Sequence, residues 1–201
     1  MKRTMTRAIV ILLILATALC ALASCGIVEK EYRLGLGVVD TEKGQIAALV
    51  LLDSEDKIVL CRIDEFDVSK GVTDSKKKQG DSYGMLSDWG SSLAEWDDQI
   101  AHLERKLIGK DLATLAEVTG NEADIKAGCT VYVGNYVKAV AGAVGEAMKA
   151  ESFKSLSEVV IALTYTVSLN DGADGGYIAV ASGVALSRGY LADERSVISA
   201  K

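Results

Sequence analysis

Apolar and polar residues alternate along two neighbouring stretches in the first half of the chain. LGLGVV at 34–39 and GQIAALVLLDSEDKIVLCRIDEF at 44–66 are rich in aliphatic residues and are separated by a short polar turn. The longer stretch has apolar residues at alternate positions on both sides of a polar turn at 53–57, namely Ala48, Val50, Leu52, Val59, Cys61 and Ile63. A period of two is typical of strands, so the pattern predicts antiparallel β-hairpins.

The segment SSLAEWDDQIAHLERKLIG at 91–109 has the period of a helix instead. One apolar stripe runs through Leu93, Trp96, Ile100, Leu103 and Leu107. Ser91 or Ser92 is placed to cap the start, and Gly109 stands where a C-terminal glycine belongs. His102 lies about 180° from the stripe at ~100° per residue, so we expect it to be exposed to solvent and not catalytic.

A second helix and a further set of strands follow. Residues 130–133 (TVYV) predict a short strand, and Asn135 to about Lys149 predicts a helix with Val137, Val140, Val144 and Met148 on one face. The segments 157–170 and 177–192 again have the character of strands. Because GYIA at 176–179 is similar to GQIA at 44–47, the C-terminal part is interpreted as a shortened second copy of the first hairpins. The fold class expected is α+β, with antiparallel β-hairpins packed against two amphipathic helices.

Residues 68–84 between the hairpins and the first helix are rich in turn formers and charge. The run Lys76-Lys77-Lys78 is most simply a solvated surface, and a basic docking patch is the alternative.

The N-terminus predicts export. Lys2, Arg3 and Arg7 precede sixteen apolar residues at 8–23, a length that fits a signal peptide better than a membrane-spanning helix. Leu22-Ala23-Ser24-Cys25 resembles the lipobox of bacterial lipoproteins, in which the cysteine becomes the lipidated N-terminus; simple secretory cleavage is the alternative. The division expected is a signal at 1–24, a tether at 25–33, a domain at 34–150 and a C-terminal region at 151–201. A lipid on Cys25 would hold the chain to the outer face of the cytoplasmic membrane.

The charge balance narrows the range of partners. The chain has 22 Lys and Arg against 28 Asp and Glu, a net charge of −6. The predicted signal holds three of those cations and none of the acids, so the mature chain would carry 19 cations and a charge of −9. So acidic a protein is repelled by phosphate backbones, and nucleic acid is not an expected partner.

Few residues are suited to metal binding or hydrolytic chemistry. Cys61 and Cys129 either form one disulfide or pack separately as small apolar side chains, and a single histidine argues against a zinc site. Gly35-Leu36-Gly37 leads into Val38-Val39 and lacks a third glycine, so it is a poor dinucleotide fingerprint. No Ser/His/Asp set is apparent.

One stretch resembles a known family. DIKAGCTVYVGNYVKAV at 124–140 resembles the C-terminal part of the FMN-binding domain of extracytoplasmic flavoproteins, in which Asp-x-x-Ser/Thr-Gly-Ala-Thr/Ser precedes an Ala/Val-rich helix. This chain has Ala127 where the family has Ser or Thr, and Cys129 where it has Ala. The wider resemblance spans about residues 32–150 and extends to small lipoproteins of anaerobic Gram-positive bacteria.

The resemblance implies a function as an electron carrier. The hydroxyl of Thr130 would accept FMN from a flavin transferase, Asp124 and Gly128 would shape the turn beside Cys129, and the start of the helix at Gly134 and Asn135 would hold the phosphate. Lys126 would add a positive charge, and a redox protein would be the partner. Candidates for the ring's stacking wall are Tyr83, Trp89, Trp96, Tyr132 and Tyr136. The residues alone favour a turn that passes Thr130 into a sheet edge. The alternative is a cofactor-free surface lipoprotein that acts as a binding or scaffold module.

Overall fold

The computed structural model describes residues 29–67, 74–89, 92–155, 157–169, 177–187 and 190–198. The strands are β1 Lys30–Thr41, β2 Gly44–Leu52, β3 Ile58–Asp67, β4 Phe153–Ser155, β5 Val160–Leu169, β6 Tyr177–Ser187 and β7 Tyr190–Ile198. The α-helices are α1 Lys76–Gln79, α2 Met85–Trp89, α3 Trp96–Leu107, α4 Leu112–Leu115, α5 Ala123–Lys126 and α6 Gly134–Ala147, with a 3-10 turn at Gly80–Tyr83.

The strands form two antiparallel sheets. The first has the order β3-β2-β1-β4, and its register places Leu34 opposite Leu51 and Gly37 opposite Ala48. The second has the order β5-β6-β7, with Tyr165 opposite Ala181. The predicted α+β class with antiparallel hairpins is therefore confirmed.

Strand β2 forms the centre of the protein and is buried along its whole length. One face, with Ala48, Val50 and Leu52, packs in the same core as the apolar sides of α3 and α6. The opposite face, with Ala47 and Leu49, packs in a second core with the sheet β5-β6-β7. The protein therefore has three layers: helices, the first sheet and the second sheet.

Two glycines in β1 allow α6 to lie directly on the strand backbone. A Cβ built on Gly35 would lie 2.2 Å from the carbonyl oxygen of Ala143, and one on Gly37 would lie 2.2 Å from that of Ala139. Ala139, Ala143 and Ala147 are spaced four residues apart and therefore share the face of α6 that meets the strand. Gly35-Leu36-Gly37, a poor dinucleotide fingerprint, thus has a packing role.

The predicted helix at 91–109 is present with a later start. Its buried stripe of Trp96, Ile100, Leu103 and Leu107 is confirmed, and Gly109 has the positive φ of +81° expected after a helix end. The predicted serine cap is wrong, because Glu95 holds the N-cap position; Ser91 lies outside the described residues. Leu93 lies before the helix and is exposed.

Three other local predictions are wrong. Residues 130–133 form no strand, because they connect α5 to α6. Lys76 is buried rather than solvated, and Lys77 is half-buried. Met148 follows the last turn of α6 and is exposed, while the small alanines of that helix are buried.

The C-terminal sheet agrees in topology with the predicted second copy. Gly44 begins the middle strand of β3-β2-β1, and Tyr177 begins the middle strand of β5-β6-β7. Gly176 lies outside the described residues, and the repeat stays a prediction. Among the helices of the described residues, none is both long and apolar enough to cross a bilayer.

We predict that Gly37→Ala strongly destabilises the fold. The added methyl would overlap the backbone of α6 at Ala139 and Ala143, and overpacking of this kind costs about 1–3 kcal/mol or more. Gly145→Ala is the matched control, because a Cβ there meets nothing within 4 Å and should stabilise α6 by roughly 0.5–1 kcal/mol. Urea unfolding measures both, and an unchanged midpoint for Gly37→Ala would refute the close packing.

Candidate functional site

A cleft of about 600 Å³ lies at the start of α6, beside the turn that joins β1 to β2. It is lined by Asp40, Thr41, Glu42, Lys43, Ile46, Glu65, Tyr132, Asn135 and Tyr136. The hairpin supplies one wall and the first turn of α6 the other, so the contact between β1 and α6 sets the width of the cleft.

The rim of the cleft combines an open helix end with an exposed ring. No side chain caps α6 at its N-cap residue, Val133. Tyr132 is 81% exposed, and its hydroxyl would lie 2.6 Å from a Cβ placed on Gly134. Glycine at 134 therefore lets the ring lie over the helix end, where free N–H groups create a positive potential.

The floor of the cleft is a buried polar network. Lys76 donates from Nζ to Glu65 Oε1 at 2.6 Å, and the hydroxyl of Tyr136 donates to the other oxygen of Glu65. Trp96 Nε1 donates to the same hydroxyl at 3.1 Å. The Lys76 ammonium also lies 5.0 Å from the ring centre of Tyr83. Burial, reinforced by the charge of Glu65, raises the pKa of Tyr136, so this phenol stays protonated.

Charge in the cleft is close to balanced and slightly acidic. Asp40, Glu42 and Glu65 are opposed by Lys43 in the lining and by Lys76 beneath it. Asp40 Oδ1 also accepts from Gln45 Nε2 at 2.8 Å, a bond that leaves its charge in place. The carboxylates oppose a phosphate, whereas the open helix end favours one.

Thr130 lies outside this cleft and is bound to a buried amide. Its backbone N–H and its Oγ1 both donate to Gln99 Oε1, at 2.8 and 3.0 Å. Gln99 is fully buried, and its Nε2 donates to Ser92 Oγ and to the carbonyl of Ala94. The side chain of Thr130 is exposed, but it is not part of the cleft lining, and its hydroxyl hydrogen is already used.

Asp124 and Gly128 belong to a separate group around His102. The Asp124 carboxylate lies 3.3 Å from Lys106 Nζ, and its carbonyl oxygen lies 2.8 Å from His102 Nε2. A Cβ on Gly128 would lie 2.3 Å from His102 Nδ1. Glycine at 128 therefore makes room for the imidazole. The expectation that His102 is freely exposed is wrong, because the ring is half-buried against this turn.

Cys129 is a core residue. It is 1% exposed and shares the helix-side core with Cys61, and both are free thiols. Burial raises the pKa of each, so both thiols stay protonated in the folded protein.

The aromatic rings predicted to stack on a flavin differ in their exposure to solvent. Tyr83, Trp96 and Tyr136 are buried, which leaves Tyr132 as the exposed ring at the cleft. Lys126 is exposed on α5. The side chain of Trp89 and the whole of Cys25 lie outside the described residues.

The structure thus brings together only part of the predicted site. Gly134, Asn135 and Tyr132 meet at the cleft, while Thr130, Asp124, Gly128 and Cys129 have other partners. Within the described ranges, no group of three or more His, Cys, Asp or Glu residues is arranged to hold a metal ion. Sequence reasoning missed Lys76, Glu65 and Gln99, because their partners are distant in the chain.

Comparison with known proteins found no match: no family model, no curated protein and no solved structure is significantly similar to this chain.

We predict that stability falls as the pH rises above about 9. The folded pKa of Cys61 and of Cys129 lies above the unfolded value of 9.0, so the thiols ionise first in the unfolded state. The Cys61 thiol then removes up to about 1.4 kcal/mol per pH unit, and Cys129 adds to the loss in the same direction. Urea unfolding from neutral pH to about pH 10, with reductant present, should show a smaller decline for Cys61→Ala than for the wild type. Equal slopes would contradict the buried thiol.

Proposed function

We propose that the protein is an extracytoplasmic lipoprotein, tethered through Cys25, whose domain binds a small ligand in the cleft at the start of α6. The supporting observation is the combination of an uncapped helix end with the exposed ring of Tyr132 beside a cleft of about 600 Å³. The exposed ring of Tyr132 offers a flat surface for stacking.

The cleft is suited to binding rather than to proton transfer. Glu65 is held by Lys76 and Tyr136, and the raised pKa keeps the phenol protonated. The buried groups at the floor therefore satisfy one another and make a rigid base. Ligand selection then falls to the exposed groups above it, namely Tyr132, Asn135, Asp40, Glu42 and Lys43.

FMN, held without a covalent bond, is the second candidate. Tyr132 and the open end of α6 favour it, because the ring would stack on the phenol while the phosphate meets the N–H groups near Asn135. A bound flavin would make the protein an electron carrier. Covalent attachment at Thr130 has less support, because a flavin transferase would first have to break the bond from its hydroxyl to Gln99.

Flavin titrations distinguish the two candidates. FMN and riboflavin share the ring and differ in the phosphate. If the helix end holds the phosphate, with about 0.3–1 kcal/mol in its favour, FMN should bind roughly two- to five-fold more tightly than riboflavin. Quenching of flavin fluorescence measures both. Tyr132→Ala should weaken both flavins, while Tyr132→Phe keeps the ring and is the matched control.

Three outcomes bear on the flavin candidate. No binding of either flavin would eliminate it and leave the cofactor-free binding module. Tighter binding of riboflavin than of FMN would show that Asp40 and Glu42 outweigh the helix end. A gain in mass of FMN less one water after co-expression with a flavin transferase, lost in Thr130→Ala, would establish the covalent route instead.

The anchor has its own test. Cys25→Ser removes the thiol that would carry the lipid, so we expect the domain to be released from the membrane or to keep an uncleaved signal. Mass spectrometry of the N-terminus and membrane fractionation measure this. A wild-type N-terminus without lipid, together with membrane extraction unchanged by the substitution, would refute the lipoprotein proposal.

A further inference from the structure

Exposed apolar side chains are concentrated at one end of the molecule. In the described part of the chain, eight large hydrophobic residues are well exposed. Tyr132 lines the cleft, and Leu86 and Leu93 lie on the same side, because Leu86 N–H donates to Glu95, which directly precedes Trp96, and Trp96 Nε1 donates to Tyr136 at the cleft floor. The other five lie at the end of the first sheet where β1 begins: Ile108, Leu112, Met148, Val160 and Leu186. We call these five the apolar end.

Backbone contacts place the first two members there. Strand β3 begins at Ile58, which lies opposite Leu52, and Leu52 lies opposite Arg33 near the start of β1. The carbonyl of Ile58 accepts from Gly109 N–H at 2.8 Å, which places Ile108 at this end. An ion pair joins Lys57 to Asp111, which places the next residue, Leu112, at this end as well.

Surface cavities and strand register place the other three. Met148 lines a small cavity together with Glu31 and Arg33. Val159 lines another with Lys30 and Tyr32, and Val160 is the next residue. Leu186 lies directly opposite Val160 in the second sheet.

The chain length between the lipid site and β1 keeps this end near the membrane. Cys25 precedes Lys30 by five residues, which reach at most about 18 Å. Strand β1 has 12 residues and spans about 36 Å, and the cleft lies beside its far end at Thr41.

Several charges at this end are paired with one another, while Lys30 and Glu158 are exposed. Arg33 binds Asp56, Lys57 binds Asp111, and Lys149 Nζ lies 2.8 Å from Glu146. Paired charges resist transfer towards a bilayer less than isolated ones. The acidic chain has no general attraction to anionic lipid, so apolar contact is the interaction that a lipid surface offers here.

We propose that the apolar end rests on the surface of the bilayer and that the cleft is presented on the side away from it. This inference depends on the lipid anchor at Cys25 of the proposed function. The lipid limits the distance between the domain and the bilayer, and the five side chains fix the orientation of the domain on it.

Probes at the two ends test the orientation. The full chain, expressed in a lipidating bacterial host and placed in phosphatidylcholine vesicles, would carry an environment-sensitive fluorophore at Leu112→Cys or Val160→Cys. Leu93→Cys is the matched control, a similarly exposed leucine at the opposite end of α3 from Ile108. Cys61 and Cys129 are buried, and wild-type protein treated with the same fluorophore checks that they do not react. We expect a blue shift and loss of emission with brominated lipid at the first two sites and neither at Leu93.

The outcomes separate the orientation from the anchor. Water-like emission at all three sites on a chain whose N-terminus carries the lipid would overturn the orientation and leave the anchor intact. A blue shift at Leu93 equal to that at the apolar end would also overturn it. An N-terminus without lipid, on a chain that does not bind vesicles, would overturn both. Circular dichroism checks the fold of each variant, and Ile108→Cys replaces either site if that variant fails to fold.

Discussion

The contact between β1 and α6 is the constraint on which the rest of the structure depends. Gly35 and Gly37 present bare backbone to Ala139, Ala143 and Ala147. A side chain at either of these two positions would hold the helix away from the strand. Close approach buries the helix-side face of β2 and fixes the start of α6 against the β1–β2 turn. The cleft therefore exists at its present width because two positions in one strand lack a Cβ.

Buried polar groups tie the irregular segments to this frame. Glu65 on β3 holds Lys76 of α1 and Tyr136 of α6, while Gln99 on α3 holds the backbone and hydroxyl of Thr130. Each of these groups is paired, as buried charges and amides must be to avoid a large desolvation cost. The same contacts occupy the Thr130 hydroxyl and the Glu65 carboxylate, so the floor and the turn are held in place by polar groups that already have partners.

The two ends of the molecule differ in character. One end carries a polar cleft with an exposed ring, and the other carries five exposed apolar side chains together with several ion pairs. A lipid five residues before β1 would turn the second end towards the membrane. A binding cleft facing outwards from a tethered domain is the arrangement that the proposed function requires.

The sequence by itself determined the local elements: the hairpins of β1, β2 and β3, the buried stripe of α3 and the helix α6 follow from periodicity, which depends on neighbours within a few residues. Tertiary structure alone decided which polar residues are buried. Nothing near Lys76 in the chain distinguishes it from Lys78, since its burial depends on Glu65, Tyr83 and Trp96. Likewise, Gly128 is explained by His102 and Thr130 by Gln99, and such long-range partners leave no periodic signal.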